Sequence, residues 1–555
     1  MEIEKDQKRP PESIKKNRTP FSCLCCCCGC CELFSCLSIS IIAILALIYT
    51  GVTTVNYRIN IGFTAVKAIL NPFFAFLLII SSSIHIAAWI VGLFCPCMSS
   101  IINSKDYSNT ITTTTNNNNN NKTRCCSLNC YPYCGGYWRR SILLLMLINY
   151  VLVLVPIWSV TGTTGAWLSN DIIATTFGTP SMHQASNFAR TSPYNFGDQM
   201  MVWFQKQYNP VFSSPKTLTA TYRFKNITEK TPNPLADALS FVKFSDMGSY
   251  STPDVPYLLL DVYHPSSVGI ASSKPPPVIF HIHGGAFVLL DKSMTLMPIA
   301  DYQRQGYAVV SIQYRLVPWG WNGWDIQKDV IDAFLWVRDN HEMLDIDPNR
   351  IVMAGESAGG FASSYLCYLM SATAETWTSF HTKNIQDIDM LDRMELFQQI
   401  GQKKSIKGCL NLYAAVNIVS YLDDDVQEWN MLTKVKELVL VMLNKNHTAN
   451  VLNNNRDDWK ELLRDHGPYI SLPNLVTAMS PPTLSIHGKV DVVVPNVMSV
   501  KLHEALDKYN VSNALSIMSG RGHNFDVGEY SAGGQVSWYA FERFLAAVVP
   551  IEQNR

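Results

Sequence analysis

A chain of 555 residues is long enough for one large single-core domain plus about one further unit. Its 44 acidic and 44 basic residues leave no net charge to attract a polyanion, which excludes nucleic acid as a partner. The hydrophobic residues, 47% of the chain, are concentrated at the N-terminal end, where they form long uncharged runs rather than the punctuated pattern of a core.

Residues 1–32 read as a cytosolic tail rich in cysteine. Fourteen of the sixteen cysteines precede residue 135, and Cys23, Cys25, Cys26, Cys27, Cys28, Cys30 and Cys31 stand directly before the first apolar run. Juxtamembrane cysteines on that side of a bilayer accept palmitate; a zinc site is the weaker reading, and no metal is expected. Leu33–Thr50, Pro72–Phe94 and Ser141–Val160 each approach the length that crosses about 30 Å of hydrocarbon as a helix, predicting a three-span region over 33–160. A helical hairpin buried in a soluble core is the alternative. Six Lys or Arg precede the first run, two separate it from the second, and five lie between the second and third. This distribution puts the N-terminus and second loop in the cytosol and the rest of the chain in the lumen or outside. Sequons at Asn226, Asn446 and Asn510 agree. The Thr/Asn tract at 110–121 lacks the apolar content to offset ordering and is predicted to be disordered.

Residues 161–214 read as a membrane-proximal connector, lying on the bilayer surface or packed against the domain that follows. From 215 to 555 the pattern changes to alternating strands and helices, the rhythm of a mostly parallel sheet. Pro277-Val-Ile-Phe-His-Ile-His283 is a buried strand ending in Gly284-Gly285-Ala286-Phe287, a flexible loop whose Gly284 and Gly285 amides are free to approach a ligand oxygen. Here His283 reads as a brace for the loop. Tyr307–Arg315 is a second buried strand, and Asp329–Arg338 has helical spacing.

Arg350-Ile-Val-Met-Ala-Gly-Glu-Ser-Ala-Gly-Gly360 carries the most chemistry. A β-branched run ends at Ser357, bracketed by Gly355 and Gly359 at minus two and plus two, the spacing of a nucleophile elbow. A strand turning this sharply into a helix leaves no room for a Cβ at either glycine. The amide of Ala358 then supplies a further donor to a developing oxyanion. Downstream, Pro482–His487 reads as a strand running to a loop with Asp491, and Ala514–Met518 as a strand before Gly520-Arg-Gly-His523-Asn-Phe-Asp526. The order Ser357, Asp491, His523, each after a strand, predicts a nucleophile, an orienting acid and a base. Asp526 reads as a surface or loop-bracing residue. Cys409–Val416 is another strand, Cys367 and Cys409 read as buried small hydrophobes, and the long segments at 371–407 and 418–475 are expected to roof the site. Trp319, Trp321 and Trp324 either line a pocket or pack the surface.

Taken together, HIHGGAF, the YRLVP at 314–318, DPNRIVMAGESAGG, HGKVDVVVP and GHNFD resemble the hormone-sensitive-lipase-type and carboxylesterase branch of the α/β hydrolases, over residues 215–548. The resemblance implies an α/β-hydrolase fold, a mostly parallel sheet with helices on both faces and a helical cap, behind an N-terminal transmembrane helical region. It makes Leu260–Pro265 an early antiparallel strand. It implies a serine esterase without cofactor, acting on a small-molecule or lipid ester at the bilayer and similar to prenylcysteine methylesterases and neutral-ester hydrolases. Ala286 stands where the family often has a third glycine. An amidase or deacetylase with the same triad, or a receptor or adhesion module on the same fold, are the alternatives. No phosphate loop or dinucleotide fingerprint competes.

Overall fold

The computed structural model describes residues 172–181, 185–195, 216–227, 257–265, 274–316, 323–375, 394–402, 404–422, 471–527 and 531–551. The three apolar runs, the cysteine-rich tail, the Thr/Asn tract, Asn446, Trp319 and Trp321 lie outside these residues. Among the described residues no helix is long and apolar enough to cross a membrane.

Eight strands form one sheet: β1 (Ala220–Asn226), β2 (Tyr257–Tyr263), β3 (Val278–Ile282), β4 (Ala308–Ile312), β5 (Ile351–Glu356), β6 (Ile406–Leu412), β7 (Thr483–Gly488) and β8 (Asn513–Met518), in the order β1-β2-β4-β3-β5-β6-β7-β8. The first two join antiparallel, and β2 meets β4 antiparallel; every pairing from β4 through β8 is parallel. This is the mostly parallel sheet of an α/β hydrolase. The composition of each strand follows from its place. β3, β4 and β5 are buried at every residue, because helices cover both faces of a parallel sheet, whereas the edge strand β1 mostly alternates between exposed and half-buried positions.

Two cores result from the period of two along each strand. On one face Phe280, Val310 and Met353 pack with Phe334 of α3 (Gly323–Asp339), Phe361 and Tyr365 of α4 (Ala358–Leu369), and Leu502 of the later helix Val497–Lys508. On the other face Ile279, Val309, Val352 and Leu410 pack with Tyr302 of α2 (Ile299–Gln305) and with Phe541, Phe544 and Leu545 of the C-terminal helix Ala532–Val548. Burying each such side chain contributes about 1.5–3 kcal/mol. The C-terminal helix starts where Ser531 Oγ accepts the Gly534 amide at 3.0 Å, a side-chain cap for an otherwise unpaired donor.

The described part of the connector packs on this second face. Phe177 of α1 (Ile172–Phe177) meets Phe544 edge to face at 4.8 Å. The buried Arg190 guanidinium bridges Asp301 at 3.0 Å and Glu542 at 2.8 Å, and the Asn195 amide donates to Gln535 Oε1 at 2.6 Å. Asp301 also binds Arg304. Burial pushes the Glu542 carboxyl up, and the Arg190 charge opposes that.

Three boundaries differ from the sequence reading. The strand expected at 307–315 is ordered throughout but pairs as a ladder only over 308–312. The strand expected from Cys409 starts at Ile406, because Gly408, which breaks the apolar run, is small to admit Phe544: a Cβ there would lie 2.8 Å from that ring. It ends at Leu412, because Tyr413 turns into the left-handed region at φ 39°. Of the two segments expected to roof the site, most lies outside the described residues; in the first, α5 (Met394–Gln402) runs beside the C-terminal end of α4, with Gly401 against the Met370 carbonyl, at the opposite end of that helix from Ser357.

Candidate active site

Ser357, Asp491, His523 and the Gly284 loop each stand beyond the C-terminal end of a parallel strand, where loops converge. Ser357 follows β5 directly and caps α4 with φ 54° and ψ −116°, a conformation that strains any residue with a Cβ. The strain is held by close packing on all sides. A Cβ on Gly355 would lie 2.3 Å from the Gly359 carbonyl oxygen, and one on Gly359 would lie 2.0 Å from the Ile282 oxygen. Both glycines are needed so that helix α4 can sit against β3, the strand that delivers the Gly284 loop. Gly284 in turn lies on the Glu356 carbonyl, with room for no side chain: its Cβ would approach to 2.9 Å.

Ser357, His523 and Asp491 are brought together from three loops. His523 Nε2 is 2.9 Å from Ser357 Oγ, and His523 Nδ1 is 2.7 Å from Asp491 Oδ2. All three are buried. Since a carboxylate only accepts, Nδ1 carries the proton and Nε2 is free to accept from the serine hydroxyl. Asp491 is anchored by the amides of Val493 and Val494, both 2.9 Å from Oδ1. His487 faces it at 3.4 Å. The His487 Nε2 also lies 2.8 Å from the Val494 carbonyl, so that nitrogen is protonated and its Nδ1 accepts from Ser499 at 2.7 Å. Burial by itself would raise the Asp491 carboxyl, but the His523 charge and the bonds from His487 and His523 outweigh it and hold the group well below the ordinary carboxylate range.

The Gly284 loop is braced from below. His283 Nδ1 donates to the Gly284 carbonyl at 2.9 Å, its ring stacks on Tyr314 at 4.3 Å, and the Tyr314 hydroxyl donates towards the His283 and Gly284 carbonyls at 2.8 and 3.0 Å. With the carbonyls occupied, the amides face away, and neither the Gly284 nor the Gly285 N–H has an acceptor among the described residues. Ala358 N–H opens α4, where the first amides of a helix have no intrahelical acceptor. Ala286, in place of a third glycine, adopts φ 54° and Phe287 φ 61°; Phe287 is held there by burial against Tyr314 and Phe361.

Several participants are not evident in the sequence. His281 lies beneath the loop with Nε2 3.0 Å from both Glu356 oxygens and Nδ1 3.1 Å from Ser311 Oγ. Because Ser311 donates its one hydrogen to the Lys292 carbonyl at 2.8 Å, it accepts from His281 Nδ1. Asp526, expected at the surface or bracing its loop, is fully buried, with Oδ1 2.6 Å from the Tyr413 hydroxyl. The adjacency of Glu356 to the serine and the spacing of His281 two residues before His283 are the only signals the sequence offers. Cys367 and Cys409 are both buried and free. Asn226 ends β1 and Asn510 follows the helix at 497–508, and both are exposed. Among the described residues no group of three or more His, Cys, Asp or Glu is arranged to hold a metal ion. A cavity of about 340 Å³ opens at the opposite end of the sheet, between Ile406, Met370 and Pro482, and so is remote from Ser357.

Comparison with known proteins agrees with this fold. Residues 260–506 match the BD-FAE family model, a stretch that includes Ser357 and Asp491 and stops before His523. The chain is similar to Esterase LipC of Mycobacterium tuberculosis, at 27% identity over 58% of this chain and 69% of the relative. It is similar to Liver carboxylesterase 1 of Oryctolagus cuniculus, at 27% identity over 43% of this chain and 45% of the relative. A further match is the Non-reducing polyketide synthase pkbA of Emericella nidulans, at 25% identity over 53% of this chain but only 13% of the relative. The chain thus spans less than half of the length of two of these three. A butyrate-bound esterase structure from Thermogutta terrifontis aligns with a TM-score of 0.38 at 19% identity, over 54% of this chain and 92% of its own.

Burial pushes His283 down to about 4 from 6.5, so the imidazole is neutral in the fold. The stability this contributes is complete above 6.5 and is lost as pH falls towards 4, at about 1.4 kcal/mol per pH unit. Unfolding of the wild type should therefore become easier between pH 6.5 and 4, and His283→Gln should remove that part of the slope when thermal midpoints are compared across the same range.

Proposed function

We propose that the chain is a membrane-anchored serine hydrolase that cleaves carboxylic esters, lipophilic or of methyl and short-acyl type. The observation that carries this is the continuous relay from Ser357 Oγ through His523 to Asp491, at 2.9 and 2.7 Å, on a strained elbow. The BD-FAE match and the relatives named as esterases support it.

In this reading Ser357 Oγ attacks the ester carbonyl carbon while His523 Nε2 takes its proton. The charge that develops on the carbonyl oxygen meets the amides of Gly284, Gly285 and Ala358, which are fixed before the reaction and lose no energy in reorienting. Asp491 stays ionised throughout, holds the imidazole in the productive tautomer and stabilises the imidazolium. His523 then returns the proton to the departing alcohol, leaving an acyl-Ser357 ester. Water enters, His523 deprotonates it, and the second tetrahedral intermediate collapses to the carboxylic acid and free serine.

With a p-nitrophenyl ester series, Ser357→Ala should lower kcat by about 10⁶-fold and Asp491→Asn by about 10⁴-fold, without altering the thermal midpoint appreciably. Wild-type turnover in a folded Ser357→Ala protein would contradict the assignment.

For topology we propose three spans at 33–50, 72–94 and 141–160, with the hydrolase domain on the lumenal or outer side and the cysteines at 23–31 on the cytosolic side as palmitate acceptors. The basic-residue distribution supports this, as do the exposed sequon residues Asn226 and Asn510. In sealed microsomes the domain should resist added protease and carry removable N-glycans; digestion of the domain without detergent would invert the topology.

A further inference from the structure

The loop that carries His523 also carries an acidic residue directed into the protein. Asp526 is fully buried, its Oδ1 accepts the Tyr413 hydroxyl at 2.6 Å, and its Oδ2 has no partner among the described residues. Tyr413 is held from several directions. Its φ of 39° is sparsely populated for a residue with a Cβ, yet its amide is fixed to the Ile486 carbonyl at 2.9 Å, and its ring meets Phe525 edge to face at 5.1 Å. The residue before it, Leu412, accepts the amide of Ser357 at 2.9 Å, so the nucleophile and Tyr413 are registered on the same strand end.

This packing sets the position of the Tyr413 ring, whose centroid stands 4.5 Å from that of the His523 imidazole with the planes at 61°. The two hydrogen bonds of His523 lie in the plane of its ring and hold it only while both exist. During turnover the bond to Ser357 breaks, because Oγ becomes part of an ester, and Asp491 alone remains. A wall against the side of the imidazole then limits the turn that would carry Nε2 away from the leaving group and the incoming water.

We propose that Tyr413 and Asp526 act as a positioning pair for His523, the hydroxyl–carboxyl bond locking the tyrosine ring where it keeps the imidazole in line between Ser357 and Asp491. The inference rests on the hydrolase reading. The groups facing Asp526 are Tyr413, Glu356 and His523, and burial together with the Glu356 charge pushes its carboxyl up to about 7. An asparagine therefore resembles the protonated form and keeps an oxygen for the tyrosine to donate to.

The test is steady-state kinetics on one ester with four variants, each checked for its thermal midpoint. Loss of the wall in Tyr413→Leu should lower kcat about 10- to 100-fold with KM within about twofold, the signature of a misplaced base rather than of weakened binding. Tyr413→Phe keeps the ring but loses the lock and should lower kcat about three- to tenfold, with Asp526→Ala alike. Asp526→Asn should recover most of the loss seen in Asp526→Ala. Wild-type kcat in folded Tyr413→Phe and Asp526→Ala, or a change confined to KM, would overturn the pair even if Tyr413→Leu failed to fold. Absence of any Ser357-dependent turnover in the wild type would instead fail the hydrolase reading, so the two failures are separable.

Discussion

The site depends on one strained turn. At Ser357 the chain leaves β5 and enters α4 through a backbone conformation that only surrounding structure can hold. The buried parallel strands on either side supply that hold, and in consequence three neighbouring positions, Gly284, Gly355 and Gly359, have no space for a side chain. The same contacts that force the turn bring β3 and its loop against the first turn of α4. The serine hydroxyl and the loop amides are therefore set by one packing event, not by separate adjustments.

Beneath the turn, three buried carboxyl groups are distinguished by their partners. Asp491 receives two backbone amides and faces two imidazoles, which keep it ionised against the effect of burial. Glu356 is paired with His281, tying the elbow strand to β3 and, through Ser311, to β4. Asp526 has a phenol as its side-chain donor among the described residues, and burial with the Glu356 charge pushes it up to about 7. In a low-dielectric interior an unpaired charge is costly, so Asp491, which receives several N–H donors, stays ionised where it faces His523 Nδ1, while Asp526 is pushed towards its protonated form.

Much of this arrangement is legible in the amino-acid sequence. Ser357, Asp491 and His523 are marked by glycines in their own short segments and by their order along the chain. The buried strands are legible as apolar runs, although Gly408 conceals the start of β6 because its reason is a distant phenylalanine. What is not legible depends on pairs far apart in sequence with no spacing rule to connect them: Tyr413 with Asp526, His281 with Glu356, Arg190 with Glu542. A lone aspartate in a glycine-rich loop has the composition of a surface turn, and only the sheet brings a tyrosine to it. The connector shows the same limit. Its sequence suits a bilayer surface as well as a protein surface, and for its described part the packing shows only in contacts such as Arg190 reaching two carboxylates on separate helices.

The central claim is that Ser357 is an activated nucleophile. Reacting the intact chain with a fluorophosphonate and mapping the adduct by peptide mass spectrometry tests it most directly, because the reagent favours a serine hydroxyl with a base placed to take its proton as it attacks. The account predicts a single adduct on Ser357, formed much more slowly in His523→Ala. A folded wild-type protein with no adduct there would contradict it.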